Sequence, residues 1–179
     1  MKLYVVRHCE TNYNVAGICN ADPAVDVHLT DLGIQQASGL RDQLSSRILD
    51  RVFVSELPRT LQTAEIIVGD RGFPIAADKR LNENETGFEN QPVTDWLVAL
   101  ERAPDKWNAR FNGGESLEDT YARVADFISW LRRQPYESVL IVTHGTLALC
   151  IGAVVENRTI SEVFRVGTQQ GVYRTFDLN

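Results

Sequence analysis

The sequence is poor in sulfur, with three cysteines and one methionine in 179 residues. An odd set at positions 9, 19 and 150, with no C-x-x-C pair, fits neither a disulfide framework nor a zinc site and points to a reducing compartment. Long apolar runs are also missing. No stretch approaches the roughly 20 residues that a membrane-spanning helix needs, and the first residues carry neither a basic n-region nor a small-residue cleavage site. A cytoplasmic protein without a membrane partner is expected. Positive charge is in deficit, at a net −6, which excludes a general nucleic-acid binder. The patterns G-x-x-x-x-G-K-[ST], G-x-G-x-x-G, H-E-x-x-H and G-x-S-x-G are absent, so nothing calls for ATP, NAD, zinc or a serine nucleophile. No cofactor and no metal are expected. Repeats, low-complexity tracts and breaks in composition are lacking too, which predicts one domain over 1–179, and no segment marks a subunit interface.

What remains is an ordinary globular composition, 44% hydrophobic and 23% charged. Three short apolar runs, LYVV at 3–6, RVFV at 51–54 and SVLIV at 138–142, are nearly continuous rather than alternating. Such runs form strands buried on both faces of a parallel sheet. A fourth, VYRTFDL at 172–178, alternates and suits an edge strand. Between them lie helical patterns. Thr30 can cap a helix that spaces Leu32, Ala37, Leu40 and Leu44 on one face, and Pro58 suits a first helical turn. Ser116 and Asp119 have capping-box spacing, and TLALCIGAVV after the third run is apolar all round. The stretch 70–115 is irregular. Strands alternating with helices predict an α/β fold, a three-layer α/β/α arrangement with a mostly parallel central sheet.

In such folds ligands bind beyond the carboxyl ends of the strands. The first predicted strand ends at Arg7-His8, the second at Ser55 with Arg59 four residues on, and the third at Thr143-His144. Parallel strands would bring His8, Arg59 and His144 to one rim. Guanidinium groups bind phosphate bidentately, helix amino ends add N–H donors, and Thr11 and Asn14 can reach phosphate oxygens. A histidine there can carry a phosphoryl group covalently, and Glu83 in the acidic loop LNENETGFEN can supply general acid–base chemistry. Glu85 and Glu89 of that loop read as solvated. Cys9 is the competing nucleophile, but the cysteine-phosphatase pattern H-C-x5-R needs arginine where Val15 stands. Cys9 reads instead as a small, partly buried side chain.

The segments VVRHCETNYN, LTDLGIQQA, VSELPRTLQTA, RLNENETG, NGGES and VLIVTHGT resemble, in order, the signature segments of the histidine phosphatase superfamily, phosphoglycerate mutase-like branch (branch 1). The resemblance implies a phosphoglycerate mutase-like fold. It implies His8 as nucleophile and Arg7, Arg59 and His144 as phosphoryl-binding groups with Asn14 assisting. Glu83 would be the proton donor to the leaving group, and no metal is implied. It also implies a small phosphorylated substrate. Cys9 stands where the family has glycine, the loop after Glu83 departs from the usual F-G-x-x-E-G, and AGICNADPAVDVHLT is longer than usual, with His28 exposed. The stretch 84–112 reads as a short cap, shorter than the middle insertion of the dimeric mutases. A metal-independent phosphatase acting through a phosphohistidine is therefore favoured. The alternatives are a phosphoglycerate mutase-type transferase and a non-catalytic phosphate-binding regulatory domain.

Overall fold

The structure is a computed structural model that describes residues 1–164 and 168–179. Five strands form one sheet: β1 (Lys2–Arg7), β2 (Arg51–Val54), β3 (Ile75–Ala77), β4 (Ser138–Thr143) and β5 (Tyr173–Asp177), in the order β3-β2-β4-β1-β5. The pairs β2–β3, β2–β4 and β1–β4 are parallel, and β5 lies antiparallel on the β1 edge. The expected mostly parallel sheet between helices is thus present. Successive side chains of a strand point to opposite faces, so a continuous apolar run feeds two cores at once. Leu3 and Val5 of β1, Phe53 of β2, and Val139 and Ile141 of β4 enter one core. Tyr4 and Val6, Val52 and Val54, and Leu140 and Val142 enter the other.

Helices α1 (Asn12–Ala16), α2 (Asp31–Gln43), α3 (Pro58–Val68), α4 (Val93–Arg102), α5 (Leu117–Leu131), α6 (Gly145–Val155) and α7 (Ile160–Val163) follow the chain. Ala37 and Leu40 of α2 and Ala64, Ile67 and Val68 of α3 build the second core. Val124, Phe127, Ile128 and Leu131 of α5, with Leu147, Cys150 and Ile151 of α6, build the first. The expected helix starts are realised. Thr30 Oγ1 accepts the Gly33 N–H at 3.1 Å, and Ser116 and Asp119 exchange hydrogen bonds at 3.1 and 2.9 Å. Pro58 opens α3, where its missing N–H costs nothing.

Three details differ from expectation. Leu32 is half exposed rather than on the buried face of α2, because Gly33, Ala37 and Leu40 carry that face. β3 was not expected: it is three residues long, and its backbone pairing with Val52–Val54 rather than any periodicity makes it a strand. The irregular middle also contains α4, whose start is tied down by backbone bonds. Val93 N–H donates to the Gly17 carbonyl at 2.8 Å and Cys19 N–H to the Gln91 carbonyl at 2.9 Å.

The amino end of α2 bears directly on the loop after β1. A side chain at Gly33 would collide with the Glu10 carbonyl oxygen, so only glycine lets the helix approach that closely. No helix among the described residues is long and apolar enough to cross a membrane.

Candidate active site

The carboxyl ends of β1, β2 and β4 are neighbours because β4 pairs with both of the others. Arg7 stands opposite Thr143 in the ladder, and His8 N–H extends it by donating to the Thr143 carbonyl at 2.8 Å. This places His8 beside His144, with ring centroids 5.1 Å apart at 64°. Both rings are buried. The expected strand ends do meet: Arg7, His8, Thr11, Asn14, Arg59 and Glu83 line one cavity of about 250 Å³, and His144 packs against His8 at its edge.

The nucleophile's orientation follows from one hydrogen bond. His8 Nδ1 lies 2.8 Å from the carbonyl oxygen of Cys9, an acceptor only, so Nδ1 carries the proton. Nε2 is left with its lone pair, which accepts from Arg59 Nε at 3.3 Å. Burial, then the positive charges of Arg59 and Arg7, hold the His8 pKa well below its ordinary value, so the ring is neutral near pH 7. His144 is held well below its ordinary value for the same reasons, burial first and Arg59 next.

Arg59 is fixed on every side. Its NH1 and NH2 groups donate to the side-chain and backbone oxygens of Asn20 at 2.8 and 2.9 Å. Asn20 is a buried residue in the loop before α2, and nothing in its sequence context pointed to it. Arg7 NH1 donates to the Thr168 carbonyl, while Arg7 Nε, the Thr168 hydroxyl and His144 Nδ1 are buried without a hydrogen-bond partner. Unpaired buried polar atoms are costly. Arg7 and Thr168 line the cavity and His144 borders it, where a polyoxygen anion would satisfy such groups.

Glu83 follows the short helical turn Lys79–Leu81. Its Oε1 accepts the Asn84 N–H at 3.0 Å, and Oε2 lies 3.7 Å from His144 Nδ1. Burial raises the Glu83 pKa above the ordinary carboxylate value, although Arg59, Arg7 and Arg123 pull the other way. Ligand atoms of His8, Glu83 and His144 all lie within 4.8 Å of one another, a trio with metal-binding atom types. The flanking guanidiniums of Arg7 and Arg59 make that point favourable to an anion rather than a divalent cation.

The remaining candidates are positioned by their neighbours. Thr11 caps α1: its hydroxyl accepts Asn14 N–H at 3.2 Å, and Asn14 Oδ1 accepts Thr11 N–H at 3.1 Å. Asn14 Oδ1 also accepts from Gln170 Nε2 at 2.8 Å, and the same Gln170 nitrogen donates to the His8 carbonyl at 3.2 Å. With its oxygen so engaged, the NH₂ of Asn14 makes no hydrogen bond among the described residues. Ser55, which the sequence marked only as a strand end, places its hydroxyl 2.9 Å from His144 Nε2 and 2.9 Å from the Thr60 hydroxyl. It thus fixes the second ring from below. Glu85 is exposed as expected, but Glu89 is not simply solvated: its Oε1 accepts the Ala21 N–H at 2.8 Å. His28 is exposed. Trp107 packs on the first core, and Trp96 packs there while also lining the cavity.

Cys9 is fully buried and belongs to the second core rather than to the cavity lining. Burial pushes its thiol up to about 11, which leaves it protonated and unreactive at neutral pH. Its backbone does not occupy the left-handed region that glycine would be needed for. Cys9→Ser is therefore expected to cost about 1–2 kcal/mol of stability through the buried hydroxyl while leaving turnover largely in place. Denaturant unfolding and steady-state kinetics on the same sample would check both halves.

Comparison with known proteins shows the family and the fold. The Histidine phosphatase superfamily (branch 1) family matches residues 3–178. An adenosylcobalamin/alpha-ribazole phosphatase of Escherichia coli K12 is 29% identical, covering 100% of this chain and 91% of that protein. Phosphoserine phosphatase 1 of Hydrogenobacter thermophilus is 29% identical over 83% of this chain and 72% of its own. Among solved structures, the alpha-ribazole phosphatase from Shigella flexneri superposes with a TM-score of 0.85 at 31% identity, over 100% of this chain and 91% of that one.

Proposed function

The chain belongs to branch 1 of the histidine phosphatase superfamily and is a phosphoric monoester hydrolase, and from that premise we propose a metal-independent reaction on small phosphomonoesters through a phosphohistidine at His8. The observation that carries this reading is the proton on His8 Nδ1, held by the Cys9 carbonyl, which leaves Nε2 as a neutral nucleophile inside a cationic cavity.

In the proposed reaction, Nε2 of His8 attacks phosphorus as the P–O bond to the leaving group breaks. Arg7, Arg59 and His144 hold the non-bridging oxygens, with Asn14 and Thr11 at the rim. These preorganised donors act where the transition-state charge develops. Glu83, whose protonated form burial favours, gives its proton to the departing oxygen. As a carboxylate it then takes a proton from water, which attacks the phosphoramidate. The products are an alcohol and inorganic phosphate, and His8 returns to its neutral state.

The relatives act on chemically different esters, alpha-ribazole phosphate and phosphoserine by their names, so kinship alone does not select a substrate. Residues 84–112 form the proposed cap, of which α4 contributes Val93, Trp96 and Leu97 to the cavity. Its ties to Gly17 and Cys19 make it a fixed wall rather than a closing lid, which favours release of phosphate to water over retention for a second transfer.

The test uses 3-phosphoglycerate with a trace of bisphosphorylated primer, and p-nitrophenyl phosphate in chelator-containing buffer. The expected result is free phosphate from p-nitrophenyl phosphate without added metal, and no 2-phosphoglycerate from 3-phosphoglycerate. Formation of 2-phosphoglycerate faster than free phosphate would replace the hydrolase assignment with a mutase.

A further inference from the structure

The cavity has two chemically distinct parts. Its inner end holds Arg7, His8, Arg59 and Glu83, while its outer wall is built from Tyr13, Ile18, Val93, Trp96, Leu97 and Phe164. We infer that the leaving group accepted here is a flat, apolar body without a second anionic group. The inference rests on the hydrolase reading above and specifies its substrate class.

Three observations carry it. The first is the wall itself, with two aromatic rings and three branched aliphatic side chains among those named besides Phe164. An apolar wall of this kind gains free energy when a ligand removes its surface from water. The second is charge. Among the described lining residues the cations are Arg7 and Arg59, and both sit at the phosphoryl end. A carboxylate or second phosphate on the leaving group would therefore lose its hydration and find no counter-charge on the outer wall.

The third observation is rigidity and size. Cys19 and Gly17 are bonded to Gln91, Asn90 and Val93 through backbone groups at 2.8–3.1 Å, and Tyr13 Oη donates to Asn90 Oδ1 at 3.1 Å. The two sides of the outer wall are thus fastened together before any ligand arrives, and a preformed wall suits a rigid ligand. An apolar cavity of about 150 Å³ holds a benzene ring. The whole space here is about 250 Å³, room for a phosphoryl group and one ring-sized body.

The experiment compares phenyl phosphate with 4-(carboxymethyl)phenyl phosphate, in which a methylene insulates the carboxylate from the phenolic oxygen. It adds 1-naphthyl phosphate and methyl phosphate. For the wild-type protein, kcat/KM for phenyl phosphate is expected to exceed that for the carboxylated ester by about tenfold or more, equivalent to about 1.4 kcal/mol. Trp96→Ala is expected to lower kcat/KM for 1-naphthyl phosphate about tenfold more than for methyl phosphate. Val93→Lys, which puts a cation on the outer wall, is expected to narrow the gap between the phenyl and carboxylated esters. Equal or faster turnover of the carboxylated ester by the wild type would overturn the inference.

The underlying hydrolase reading fails differently. If no ester releases phosphate, or if His8→Ala still releases it, the phosphohistidine mechanism is wrong. Calorimetric titration with phenylphosphonate and methylphosphonate then still decides the substrate class. Tighter binding of phenylphosphonate supports it, and equal binding overturns it.

Discussion

Replacing His8 with alanine is expected to remove turnover of every phosphomonoester, by on the order of 10⁴-fold or more in kcat. The magnitude follows from the proposed covalent route. Without Nε2 there is no phosphoramidate, and water would have to attack phosphorus directly in a cavity whose cations still bind the ester. Binding and rate therefore separate: the alanine variant keeps Arg7, Arg59 and His144 and should still bind inorganic phosphate. Rapid quench of the wild type with a labelled ester is expected to trap protein-bound phosphate that is lost in acid and survives in base, the behaviour of a P–N bond. The label should be absent from His8→Ala and present in Cys9→Ser. Label that disappears with Cys9 instead would transfer the nucleophile to the thiol, against the burial that keeps it protonated.

The second large effect is expected at Glu83. Glu83→Gln keeps the size of the side chain and removes the transferable proton. General acid catalysis contributes about 10²–10⁴-fold, and most when the leaving group is a poor one. Alkyl phosphates should thus lose about two to four orders of magnitude in kcat/KM, whereas p-nitrophenyl phosphate, whose phenolate leaves unaided, should lose much less.

The pH profile gives an independent reading. The productive form has His8 neutral and Glu83 protonated. Because the His8 pKa is lowered, its protonation limits the rate only well below its ordinary value. Because the Glu83 pKa is raised, its deprotonation lowers the rate as pH climbs through the shifted value. The rate therefore rises as pH climbs through the lowered His8 pKa and falls as it climbs through the raised Glu83 pKa, and the alkaline fall should vanish in Glu83→Gln. An alkaline limb that persists in the glutamine variant would assign the acid to another group.

Much of this molecule is written locally. LYVV, RVFV and SVLIV each become strands whose alternate residues enter opposite cores, and the capping residues Thr30 and Ser116 start the helices they announce. The rim was legible for the same reason. Once three strands are known to be parallel, the residues at their carboxyl ends must share an edge, and Arg7, His8, Arg59 and His144 do, whereas the acidic loop and the family resemblance mark Glu83.

What stayed hidden depends on partners distant in sequence. β3 is too short to show a period, and its pairing with β2 defines it. Asn20 grips Arg59, Gln170 spans His8 and Asn14, and Ser55 supports His144. All three are common polar residues whose neighbours along the chain reveal nothing about what they touch. Glu89 read as a surface carboxylate because its acceptor role is set by the backbone of Ala21, far away in the sequence.

The pairing of Arg7 with Thr143 has a kinetic corollary. The two imidazoles lie far apart along the polypeptide, and they meet only after β1 has found β4 across most of the chain. Such nonlocal strand pairing is slow to form, because the intervening loop must close before any contact rewards it. During refolding, helical signal should thus return ahead of catalysis, and a burst of enzymatic competence in partly assembled chains has no structural basis. Regain of activity would then report the closing of the β1–β4 ladder.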